Sequence, residues 1–268
     1  MSSSPDLKPA IVVTGASSGI GRELARVASR DGVFMLLIGR SQQALGEIVA
    51  QLKAGGAQAD ALVLDLLDPL AGDKIEAALK ERGLYCDALV NSAGFGLFGA
   101  AAKIDRIEQV NLLDTNARAL TELSLRFLPG MVTRGRGGIL NVGSVTGYTP
   151  GPNMAVYYAT KAYVNSFSAA LAAEVRGSGV TVTCLAPGPV RTAFFARCNV
   201  GESRMSKIIA KSNAPETAEA GWRGFRAGKR LVIPRLMHRM IAVICTLLPN
   251  GILLRLVAGL QRPPQAGQ

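Results

Sequence analysis

The sequence predicts a doubly wound α/β fold on one parallel sheet, a single domain ending in an apolar helical extension. Three observations carry that expectation. Six apolar runs are nearly continuous rather than alternating, as strands covered on both faces must be. Stretches of helical period separate them. Small-residue turns follow several runs, where sheets of this kind bind ligands.

In chain order, "AIVVTG" (10–15) is the first strand and "IGRELARVASR" (20–30) the helix after it. "VFMLLIG" (33–39) leads into the helix "SQQALGEIVAQLKA" (41–54), and "ADALVLD" (59–65) is the third strand. "CDALVNSAG" (86–94) precedes the helix "NARALTELSLRFLPGM" (116–131). "GGILNVGS" (137–144) precedes "AVYYATKAYVNSFSAALAAEV" (155–175), and "VTVTCLAPG" (180–188) is the sixth strand. A short last strand, "KRLVIP" (229–234), stops at a proline. The main domain is expected to span 8–234, with a lid segment at about 193–214, and the tail 235–268.

Composition removes several function classes. Of 268 residues 49% are hydrophobic, enough for a sizeable core and too many for disorder. Four cysteines (86, 184, 198, 245) form no C-x-x-C pair and His238 is the lone histidine, so no metal site and a reduced, cytoplasmic setting are expected. Proton transfer must then use Tyr, Lys, Asp or Glu. The net charge of +11 favours anionic ligands or surfaces, but no basic run or nucleic-acid module is present. The first residues, "MSSSPDLKPA", show neither the basic nor the apolar region of a secretory signal, so none is expected.

The turns carry the chemistry. "TGASSGIG" places glycines at 15, 19 and 21 between a strand and a helix, with Ser17, Ser18 and Ile20 among them. Such a turn lets backbone approach a pyrophosphate, which the helix N-terminus then stabilises. After the second strand Gly39 stands where an acid would hold the ribose of NAD, followed by Arg40 and Ser41. A guanidinium there suits a 2′-phosphate, which favours NADP(H). Asp65, followed by Leu66, could accept from an adenine amino group or cap the next helix. Asn91, Ala93 and Gly94 give a second close approach. Tyr157 stands four positions before Lys161, so these two share a helix face; Tyr158 and Tyr163 do not share it with the lysine in that way.

These motifs, in this order over roughly 10–192, resemble the short-chain dehydrogenase/reductase family: "TGASSGIG", "NSAG" where the family has N-N-A-G, Asn116, Ser144, "YYATK" and "PGPVRT". Ser92 is the departure. The resemblance implies a Rossmann-like sheet, a catalytic set of Asn116, Ser144, Tyr157 and Lys161, and hydride exchange with a carbonyl or alcohol. Tyr157 would be the acid/base, with Lys161 favouring its phenolate and holding the nicotinamide ribose. Ser144 would donate to the substrate oxygen, and Asn116 would kink its helix and hold a water. Pro187, Gly188, Val190 and Thr192 would close over the nicotinamide. A homodimer or homotetramer is the family default.

Beyond Thr192 the resemblance thins. Phe194, Phe195, Met205, Ile208 and Ile209 in the lid, with Phe95, Phe98 and Met154, suggest a hydrophobic substrate. The tail, 235–264, is apolar and basic (Arg235, Arg239, Arg255, Arg262) and broken at Pro249-Asn250-Gly251, so two amphipathic helices are expected rather than one membrane span. They would either pack on the domain or an oligomer interface, or lie on an anionic membrane surface. Two alternatives accompany the main reading: a membrane-surface reductase of 3-oxoacyl thioesters or other lipid carbonyls, and a non-catalytic NADP(H)-sensing protein.

Overall fold

Successive residues of β1 (Lys8–Thr14) bury on opposite sides of one sheet, Ala10 and Val12 in one core, Ile11 and Val13 in the other. A continuous apolar run is the sequence signature of that two-sided burial. The computed structural model of the chain describes residues 7–192 and 212–260. The main sheet continues through β2 (Phe34–Gly39), β3 (Ala59–Val63), β4 (Leu84–Asn91), β5 (Gly138–Val142) and β6 (Thr181–Leu185). Two short strands, β7 (Val190–Arg191) and β8 (Ser212–Asn213), pair with each other, and β9 (Leu231–Val232) completes the main sheet. Its order is β3-β2-β1-β4-β5-β6-β9, every neighbour parallel. This is the predicted doubly wound sheet.

Helices cover both faces. α1 (Gly19–Ala28) and α2 (Gln42–Ala54) pack Leu24, Leu45 and Ile48 on one side. α3 (Ala71–Glu81) packs Ile75 and Leu79 on the other. α4 (Arg106–Leu113) runs through a π-helical turn, Asp114–Arg118, into α5 (Ala119–Arg134), so the helix carrying Asn116 starts earlier than its sequence period suggests. The extra residue per turn shifts the apolar repeat, which hides the first half from a 3.6-residue reading. α6 (Ala155–Glu174) joins α3 and α5 through Leu171 and Ala172, while α7 (Ala214–Arg226) adds Trp222 and Phe225 to the α1–α2 side.

The strand order reverses at β1, flanked by β2 and β4, and a ligand crevice forms beyond such a reversal. The two strand ends are tied there by one hydroxyl. Thr14 Oγ1 accepts from the amides of Ser92 (3.1 Å) and Ala93 (3.2 Å) and donates to the Val90 carbonyl (3.4 Å).

The tail forms α8 (Leu236–Leu247) and α9 (Asn250–Leu260). The break falls at Leu248, whose ψ of 140° is the extended conformation a following proline imposes. Asn250 and Gly251 already belong to α9. No helix among the described residues is long and apolar enough to cross a membrane. One face of the pair packs on the domain: His238 and Ala242 of α8 and Leu253 and Val257 of α9 are buried. The other face stays exposed. Lid positions 193–211, including Phe194, Phe195, Met205, Ile208 and Ile209, lie outside the described residues, as does Arg262; Ser212 to Ala214 are β8 and the start of α7.

Candidate active site

The glycine turn is built for close approach. Gly15 has φ +67°, and a Cβ there would lie 2.7 Å from Ala93 Cα. A Cβ on Gly21 would strike the Gly15 carbonyl. Gly19, φ +58°, faces the Thr192 methyl at 3.3 Å from where its own Cβ would be, so the loop after β6 reaches the glycine turn. No side chain caps the N-terminus of α1, although Ser18 stands at the cap position. Its first N–H groups and positive dipole end therefore face the crevice, as anion binding requires.

Around β2, a Cβ on Gly39 would sit 3.3 Å from Ser17 Oγ, leaving little room for the absent acid. Arg40 is exposed and its Nη1 lies 3.8 Å from Asp65 Oδ2. Ser41 caps α2, its Oγ accepting from Ala44 N, and Asp65 Oδ1 accepts from Leu67 N. Asp65 thus serves a turn and an ion pair at once. Leu66 is buried, and its carbonyl accepts from Arg118 Nη2 at 3.2 Å.

The end of β4 holds a network the sequence reading missed. Asn91 Nδ2 donates to Asn141 Oδ1 (2.9 Å) and Ser124 Oγ (3.0 Å), and Asn141 Nδ2 donates to Ser168 Oγ (3.0 Å). The Asn91 amide nitrogen is therefore spent internally, while its Oδ1 is buried without a partner among the described residues. Asn116 is equally committed. Its Oδ1 accepts from Phe95 N, its Nδ2 donates to Phe95 O and Thr160 Oγ1, and a Cβ on Gly94 would meet its Oδ1 at 2.9 Å. Any water held by Asn116 would be held by its backbone, in the π turn.

Ser144 follows β5, buried. Its Oγ accepts from Thr146 N (3.1 Å) and Thr146 Oγ1 (2.8 Å) and lies 3.4 Å from the Pro187 carbonyl. Lys161 is buried on α6, with Nζ donating to the Val142 carbonyl at 2.7 Å and lying 5.8 Å from the centre of the Tyr157 ring. Burial pulls its pKa down to about 8, against the opposing pull of Cys184. The Cys184 thiol is itself pushed up to about 11 by burial. Tyr157 packs edge-on to Tyr158, ring centres 6.1 Å apart. Tyr158 is buried against Gly151, where any Cβ would strike its ring. Tyr163 stacks on Phe167 and shares a hydrogen bond with Thr121 Oγ1. The three phenols have three different settings, and only Tyr157 lies near the lysine.

The sequence reading also missed Asn165, one helical turn beyond Lys161. Its Nδ2 donates to the Ser144 carbonyl (2.9 Å), and its Oδ1 receives Ser144 N and Cys184 Sγ, both at 3.4 Å. The i+4 spacing from Lys161 was the available signal. Asn165→Ala is expected to lower stability by about 2–3 kcal/mol, because buried polar groups lose their partners. Urea denaturation checks it.

The tail closes the mouth. Val257 packs with Met154 and Tyr158, and Phe98 and Tyr157 lie against the same cluster. Gly188 lies directly beneath the His238 imidazole, so close that any Cβ there would collide with the ring. Val190 is buried in β7.

Comparison with known proteins agrees with this geometry. Residues 9–202 match the short chain dehydrogenase family. Sulfoacetaldehyde reductase 2 of Chromohalobacter salexigens is 33% identical over 211 residues, covering 78% of this chain and 83% of that protein. The NADP-dependent 3-hydroxy acid dehydrogenase of Salmonella typhi is 35% identical over 218 residues, covering 79% and 87%. A short-chain dehydrogenase from Sphingobium yanoikuyae, solved in complex with NADPH, superposes with a TM-score of 0.78 at 30% identity, over 97% of this chain and 98% of that one. Crevice, sequence match and superposition agree: the chain belongs to the short-chain dehydrogenase/reductase family of oxidoreductases.

Proposed function

We propose that the chain is an NADP(H)-dependent reductase or alcohol dehydrogenase acting on the carbonyl or alcohol carbon of a hydrophobic substrate. The observation that carries this reading is the buried Lys161 ammonium beside the Tyr157 ring, with Ser144 held at the end of the adjoining strand. The glycine cradle, which a single Cβ would fill, fits a dinucleotide pyrophosphate. A bound nicotinamide would supply or accept the hydride. Tyr157 would hold the proton at its Oη and pass it to the substrate oxygen in the reducing direction. Lys161 would favour the phenolate left behind, and Ser144 would donate to the same oxygen. Asn116, Gly94 and Thr160 fix the wall behind them.

Arg40 would hold the 2′-phosphate, releasing Asp65. The NADPH of the Sphingobium complex and the cofactor in the name of the Salmonella relative support that choice. Arg40→Asp is expected to raise the NADPH Kd at least tenfold, the scale of one charge-assisted bond, and to narrow the preference over NADH. Fluorescence titration with both cofactors reads it; an unchanged ratio removes Arg40 from the reading.

The substrates named for the two relatives, sulfoacetaldehyde and a 3-hydroxy acid, carry an acid group, whereas Val257, Met154 and Phe98 bring apolar surface to Tyr157 here. Pairing between copies would use α4, α5 and α6, where Ile107, Val110, Leu125 and Tyr163 are exposed. The test is NADPH consumption against a panel from small aldehydes and sugars to bulky ketones and 3-oxoacyl thioesters. Turnover confined to the apolar members is expected. Silence throughout, with NADPH bound tightly, would favour a dinucleotide-sensing protein instead.

A further inference from the structure

The outer face of the tail has one apolar stripe and one kind of charge. On α8, Leu236, Met240, Val243 and Leu247 recur at helical spacing, and Leu236 and Leu247 are 72% and 78% exposed. Ile244 lies beside them, and Ile252, Leu254 and Leu256 of α9 are exposed as well. Contiguous apolar surface of this kind marks an interaction site. No Asp or Glu follows Glu219, whereas eight Arg and Lys do. Two of these cations are answered from elsewhere, Arg226 by Asp31 and Arg235 by Glu216. Three others, Arg223, Lys229 and Arg239, line a groove of about 870 Å³ between α7, β9 and α8, together with Leu231, Ile233 and Val243. None of the catalytic set lines it.

We propose that α8 and α9 seat this protein on an anionic bilayer surface, with the apolar stripe in the headgroup–acyl boundary and a lipid phosphate in the groove of Arg223, Lys229 and Arg239. An apolar helical face edged by cations that outnumber the acids beside them, Arg235 being paired with Glu216, matches an anionic lipid surface. A second copy of the chain would bring the same cations against themselves across a two-fold interface, which opposes self-pairing here. The seating does not depend on the catalytic reading, since no catalytic residue takes part.

The experiment is co-sedimentation of the full chain with vesicles of phosphatidylcholine alone and of equal parts phosphatidylcholine and phosphatidylglycerol. The expected result is binding to the second and little to the first. Ile244→Glu with Leu247→Glu, both at exposed positions, should weaken binding at least tenfold and leave NADPH affinity unchanged. Replacing Arg223, Lys229 and Arg239 by Gln should weaken it about a hundredfold, at roughly fivefold per cation near an anionic surface. Failure of the wild type to bind anionic vesicles overturns the proposal. So does light scattering that shows the Ile244/Leu247 variant splitting an oligomer, which makes the face a self-interface. Calorimetric binding of inorganic phosphate with no vesicle binding makes the groove a free-anion site and overturns it likewise.

Discussion

Tyr157→Phe is expected to lower kcat by about a thousandfold, within the range that a positioned acid/base contributes. The ring stays, so its edge-on packing with Tyr158 and its place beside Met154 and Val257 stay too. Stability should change by less than about 1 kcal/mol, the scale of one hydrogen bond, and NADPH affinity should hold. Those two controls give the kinetic result its meaning. Full turnover in the Tyr157→Phe variant would show that the phenol carries no proton, whatever else the site does. Tyr158→Phe and Tyr163→Phe are the comparison set, expected to retain turnover because their rings face Gly151 and Phe167 instead.

Lys161→Met should abolish turnover as well, and it carries a pH signature that comes from losing this lysine. Burial depresses the lysine from 10.5 to about 8. Between those values the unfolded chain holds a proton that the folded chain lacks, so stability rises with pH across the window. Below about pH 8 both states are protonated and the burial penalty is fully present. The rise integrates to about 3 kcal/mol. In the Lys161→Met variant this contribution disappears. At neutral pH the variant gains by shedding a buried charge and loses by leaving the Val142 carbonyl unpaired, about 1–3 kcal/mol. The decisive quantity is therefore the difference between wild-type and variant stability, followed by urea denaturation of the cofactor-free protein from pH 7 to 10.5. A difference that stays flat would mean that Lys161 is charged and well solvated in the folded state.

The sheet was legible because parallel strands must be apolar on both faces and small-residue turns bound several of the runs. The glycine turn and the Tyr157–Lys161 pair were legible because their spacing is local. What escaped is held by contacts between distant residues. Asn91, Asn141 and Ser168 come from three elements, and each looks like an ordinary strand or helix residue in isolation. Asn165 joins α6 to the end of β5 across 21 positions. The start of α4 was masked by the π turn. For the tail, packing on the domain and contact with a membrane were both anticipated; one face packs over the mouth of the candidate site, and the other remains uncovered by any described residue.

The seat of His238 on Gly188 joins the loop after β6 to the first tail helix in a single contact. That contact is a physical route between two proposed surfaces, the dinucleotide crevice and the outer face of the tail. If a dinucleotide settles the loop and so strengthens the tail's hold on a membrane by some factor, the membrane strengthens the dinucleotide's hold by that same factor. Occupancy of one site would then report on the other, and the filling of the dinucleotide site would help decide how much of this protein sits on lipid.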